Sequence, residues 1–134
     1  MKKLLALLTL VSIVFCFAAC GGIAKDPEKL EDKLEDKDYS VEVIDDEDDL
    51  EYLALMGIET DGVETVLSVS SEDGDNGAFF VYCEDASAAK DVAESFEDLM
   101  DSEFMEELDA DDYKVERSGK IVIFGHKDII KDAK

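Results

Sequence analysis

The chain has 134 residues, of which 13 are Lys or Arg and 36 are Asp or Glu, giving a formal charge of −23. A surface this acidic repels phosphate backbones and anionic head groups, which excludes nucleic-acid readers and polybasic lipid binders. One histidine, three cysteines and no tryptophan leave few ways to assemble a metal centre or a nucleophilic triad.

The chain opens MKKLLALLTLVSIVFCFAAC. Lys2 and Lys3 form a positive start, Leu4 to Phe17 is almost wholly apolar, and the small residues Ala18 and Ala19 follow. This is the pattern of a secretory signal peptide. The apolar run is shorter than the roughly 18–20 residues that a spanning helix needs. Ala18-Ala19-Cys20-Gly21 resembles the lipobox of bacterial lipoproteins, with Phe17 where that family usually carries leucine or another aliphatic residue. The resemblance implies that the Cys20 thiol takes a diacylglyceryl group, that the chain is cut just before it, and that the new N-terminus is acylated, palmitate being the usual kind of chain. It divides the protein into a signal peptide over 1–19, a lipidated tether over 20–26 and a single acidic domain over 27–134.

Cleavage there leaves 115 residues with a charge of −25, enough for one domain with a modest core. Attachment to the membrane then rests on the lipid, since two or more acyl chains anchor stably and one does not. Cys16 is discarded with the signal peptide. Cys83 is left without a disulfide partner and sits in an apolar strand, so it is expected to be a buried, inert thiol; the adjacent Glu84 disfavours its thiolate.

Beyond the tether, Asp26-Pro27 reads as an N-cap followed by proline at the first helical position. Leu30 and Leu34 mark one face of the helix that follows. Tyr39–Asp45 alternates, with Tyr39, Val41 and Val43 on one face, and is a half-buried strand. Asp45–Asp49 is a turn or a helix start. Leu50, Leu53 and Met56 have helical spacing, but the segment ending at Gly57 is open between a short helix and a further strand.

Val63–Ser71 and Ala78–Glu84 are strands joined by the turn residues EDGDNG, a hairpin with a long loop. The second is apolar on both faces and so central. Asp85 caps an amphipathic helix whose buried face is Ala89, Val92, Ala93, Phe96, Leu99 and Met100; Phe104, Met105 and Leu108 extend it after a break. Tyr113–Gly125 is a hairpin turning at Ser118-Gly119, and a last short helix carries Ile129 and Ile130. The order predicts an α+β fold: a mainly antiparallel sheet of about five strands with helices packed on one face, the other face being wet or meeting a partner.

The candidate sites are few. His126, the single histidine, is expected to cap a helix or lie at the surface. No zinc-type cysteine pair is present, and the serines lack a Gly-x-Ser-x-Gly setting. Asp73, Asp75 and Glu84 stand at positions 1, 3 and 12 of an EF-hand loop, but Gly77 and Ala78 occupy positions 5 and 6, where a ligand and a glycine are required. A looser cation site could form at Asp45–Asp49 or at the EDGDN turn; the alternative is a solvated turn. The carboxylates are spread along the whole chain, so their pairing carries no information.

No catalytic, cofactor or metal residue is assigned; Cys20 is the one site residue, for lipidation. The general form resembles small uncharacterised lipoproteins of Gram-positive bacteria, which implies a lipid-anchored protein on the exported face of the cell membrane. The expected role is a non-enzymatic binding or interaction module, with a basic protein or peptide as partner and no nucleic acid. The alternative is a cation-binding protein or a carboxylate-based enzyme accessory.

Overall fold

The computed structural model describes residues 23–103 and 110–134. The expected signal peptide and lipidated Cys20, and the expected Phe104, Met105 and Leu108 extension, lie outside them. Helix α1 (Pro27–Glu35) begins as its sequence dictates. The Asp26 carboxylate accepts the Glu28 N–H at 3.0 Å, and Pro27 has no N–H to leave unpaired. Strand β1 (Ser40–Ile44) leads to the segment whose sequence fits either a short helix or a strand. It is a helix, α2 (Glu47–Leu55), because Asp46 caps it by accepting the Asp48 N–H at 3.2 Å. The long strands β2 (Val63–Ser70) and β3 (Gly77–Cys83) precede α3 (Ala86–Met100), capped by Asp85. A short 3-10 turn, Ala110–Asp112, β4 (Tyr113–Ser118), β5 (Ile121–His126) and α4 (Lys127–Ala133) follow.

The five strands form one antiparallel sheet in the order β1-β2-β3-β5-β4. Ser118 pairs with Ile121, so the β4–β5 turn is Gly119-Lys120, one residue later than the sequence suggests. Gly119 sits at φ +61, a left-handed conformation that a side chain resists. β5 lies inside the sheet between β3 and β4, with all six residues buried.

Helices cover both faces of this sheet, and the expected arrangement on one face does not hold. Along β3, Ala78, Phe80 and Tyr82 point to one core, and Val81 and Cys83 to the other. β5 divides in the same way, Ile121 and Ile123 against Val122 and Phe124. Strands that are apolar on every residue need a cover on each side. On one side the cover is α1 and α4, through Leu30, Leu34, Ile129, Ile130 and Ala133. On the other it is α2 and α3, through Leu53, Ala89, Val92 and Phe96. Of the helical stripe expected in α3, Ala89, Val92 and Phe96 are fully buried, and Ala93, Leu99 and Met100 pack at the margin of the same core.

Candidate functional site

The folded domain starts earlier than Pro27. Ile23 is only 8% exposed and belongs to the core beneath α1 and α4. The Tyr82 hydroxyl donates to the Ala24 carbonyl at 2.7 Å. Burial holds the proton on this hydroxyl, raising its pKa well above the ordinary tyrosine value. Only Gly21 and Gly22 separate Cys20 from Ile23.

The charge has a spatial order that the chain-long spread of carboxylates conceals. From Asp38 to Tyr113 there are 27 acidic residues and one cation, Lys90. The segments on the α1/α4 side mix signs: Lys25, Lys29, Lys33, Lys37, Lys127, Lys131 and Lys134 stand among eight carboxylates. Two of these lysines have structural partners on α4. Lys33 Nζ donates to the Ala133 carbonyl at 3.1 Å and Lys37 Nζ to the Asp132 carbonyl at 2.7 Å. They satisfy the last carbonyls of that helix, where a cation is favoured. Lys134 and Lys114 both bridge Glu116, at 3.0 and 2.6 Å. The hydrogen bond from Lys114 is the main cause that holds this carboxyl below its usual pKa. Helices α2 and α3 carry eight carboxylates against the single cation Lys90, so their side of the sheet is strongly acidic.

On that side an open cleft of about 530 Å³ lies between the end of α2 and the flank of α3. Glu59, Asp91, Glu94 and Asp98 line it, with Ala54 and Thr60. The Glu59 N–H donates to Ser95 Oγ at 3.1 Å, and that hydroxyl donates to the Val92 carbonyl at 2.7 Å. These two bonds tie the loop after α2 to the body of α3. Tyr52 and Leu55 project from the outer surface of α2 with 65% and 82% of their surface exposed, and neither lines the cleft. They fall off the Leu50, Leu53, Met56 stripe, and that departure was the sequence signal for an apolar pair left outside the core.

The other singled-out residues have structural roles. His126 caps α4: its Nδ1 accepts the Asp128 N–H at 3.2 Å, and its ring meets Tyr113 edge-on at 5.5 Å between centroids. Cys83 is buried, and burial first, then Asp85 and Glu64, push its thiol up to about 11. Asp73 accepts from Ser71 Oγ at 2.5 Å and from the Asp75 N–H at 3.1 Å, and the Ser71 bond holds its carboxyl below the ordinary value. Glu84 lies beyond the far end of β3, so strand geometry separates it from Asp73 and Asp75. Asp46 and Asp48 are the cap and first turn of α2. Among the described residues no three His, Cys, Asp or Glu side chains are grouped to hold a metal ion, and no helix is long and apolar enough to cross a membrane. No protein-family model, curated protein or solved structure matches the chain.

Proposed function

We propose that the protein is an exported, lipid-anchored lipoprotein whose acidic domain works as a non-enzymatic binding module at the membrane surface. The observation that carries this reading is the opposition of two sides of one sheet. The side that receives the chain from Gly22 is mixed in charge. The opposite side holds the acidic cleft and the exposed apolar pair. A diacylglyceryl group on Cys20 would sit on a leash of two glycines, which keeps the first side near the head groups and leaves the second facing outward. Anionic lipid would repel the α2/α3 side and favour the same orientation.

Membrane fractionation with the Cys20→Ser chain tests the reading. A hydroxyl does not replace the thiol in the lipid transfer. The unaltered chain is expected in the membrane fraction and released only by detergent, whereas the variant is expected to lose its detergent requirement. Equal retention of both chains under salt and carbonate washes would defeat the proposal.

A further inference from the structure

Large apolar side chains on α2 point away from the core although that helix is short and crowded with carboxylates. Tyr52 and Leu55 are three residues apart and so neighbours on the helix surface. At 65% and 82% exposure they contribute little to the fold. Ala54, next to Leu55, borders the cleft whose walls carry Glu59, Asp91, Glu94 and Asp98, all exposed. Asp91, Glu94 and Asp98 are spaced to share one face of α3. The cleft is held in shape by the Glu59 to Ser95 bond at 3.1 Å, which joins its two walls.

We propose that the outer surface of α2 and the adjoining α2–α3 cleft form a docking site for a cationic polypeptide segment with apolar side chains of its own. The inference rests on the reading of the chain as a binding module and names the surface and the partner's chemistry. Charge complementarity selects the occupant. A second copy of this chain would bring another surface of the same sign, and a phosphate backbone or anionic lipid would do likewise. A small cation would satisfy the carboxylates without using Tyr52 and Leu55. A lysine- or arginine-bearing segment uses both features: its apolar residues cover Tyr52 and Leu55, and its cations reach the cleft. Aromatic and aliphatic anchors then supply affinity, and the surrounding carboxylates supply encounter rate and selection.

The test is calorimetric titration of the full chain in detergent with two synthetic peptides. One is a short amphipathic helix of Lys and Leu, the other its counterpart with Ser in place of every Leu. The Lys/Leu peptide is expected to bind about tenfold tighter or better. Tyr52→Ser with Leu55→Ser should remove that preference while leaving the weak, salt-sensitive binding. Asp91→Asn with Glu94→Gln and Asp98→Asn should weaken both peptides and flatten the dependence on salt. Backbone amide shifts, which need no variant, should move at Tyr52–Thr60 and Asp91–Asp98. Equal affinity for the two peptides, shifts centred on α1 and α4, or displacement of the peptide by calcium chloride beyond that by sodium chloride of equal ionic strength would overturn the proposal. Titration of the Cys20→Ser chain should give the same result, which separates failure of this site from failure of the lipid anchor.

Discussion

The Tyr39 hydroxyl donates to the Asp132 carboxylate at 2.6 Å, tying the entry of β1 to the last turn of α4. Burial, with this bond second, pushes the Tyr39 hydroxyl up to about 12 from 10.0. A folded-state value above the unfolded one means that the stabilisation is complete below pH 10.0 and is lost as pH rises toward 12. Tyr39→Phe should lower stability at neutral pH by about 1 kcal/mol. The gap between the variant and the unaltered protein should close across that alkaline window. Urea unfolding at a series of pH values checks both; a gap that stays constant to the end of the window would show that the hydroxyl is not the group involved.

Phe96 stacks on Phe124 with ring centroids 4.8 Å apart and planes within 7°. It is 1% exposed and joins α3 to the innermost strands. Phe96→Ala should cost about 3–5 kcal/mol, the removed burial plus the cavity left behind. Denaturant midpoints give the value, and a loss under about 1 kcal/mol would mean that α3 collapses easily into the space.

Gly125 pairs with Ala78 across β5 and β3. A Cβ added there would collide with the Ala78 side chain and backbone and with the Gly77 carbonyl. Backbone is harder to displace than a flexible side chain. Gly125→Ala is therefore expected to destabilise by about 1–3 kcal/mol. Thermal unfolding reads the effect, and a neutral substitution would mean that the two strands separate more readily than their packing implies.

Cys83 should react slowly with thiol reagents at neutral pH, since burial and the neighbouring Asp85 and Glu64 carry its thiol to about 11. Reaction should accelerate sharply in urea. An equal rate in both conditions would place the thiol at the surface.

How far the fold was legible in the sequence depends on the range of the information. Strands β2 and β3 were plain from alternation and the EDGDNG turn, and α3 from its apolar stripe. The both-sided apolar character of AFFVYC was equally visible. Its consequence, a second layer of helices, is hidden in the sequence because α2 shows only Leu50, Leu53 and Met56 before Gly57. The insertion of β5 between β3 and β4 is a long-range choice with no local mark. Ile23 read as tether because a lone apolar residue has no periodicity; its burial depends on Tyr82 and α1, far along the chain. The cationic gap from Asp38 to Tyr113, broken only by Lys90, was in the sequence throughout. It became informative only when the sheet assigned α2 and α3 to one side and α1 and α4 to the other.

The excess charge should also show in solution. Added sodium chloride should raise the melting temperature by screening self-repulsion. Calcium chloride at equal ionic strength should add little. Asp73→Asn with Asp75→Asn and, separately, Asp46→Asn with Asp48→Asn should leave the two salts equivalent. A large calcium-specific rise abolished by either pair would make cation binding the better account of the acidic surface.

Mass spectrometry of the chain extracted from membranes by detergent reads the anchor itself. The N-terminal peptide is expected to begin at Cys20 and to carry the mass of a diacylglyceryl group on its thiol, with residues 1–19 absent. Metabolic labelling with a fatty-acid analogue should mark the same peptide and vanish with Cys20→Ser. An extracted chain that retains Met1–Ala19, or one that begins elsewhere with an unmodified Cys20, would contradict it.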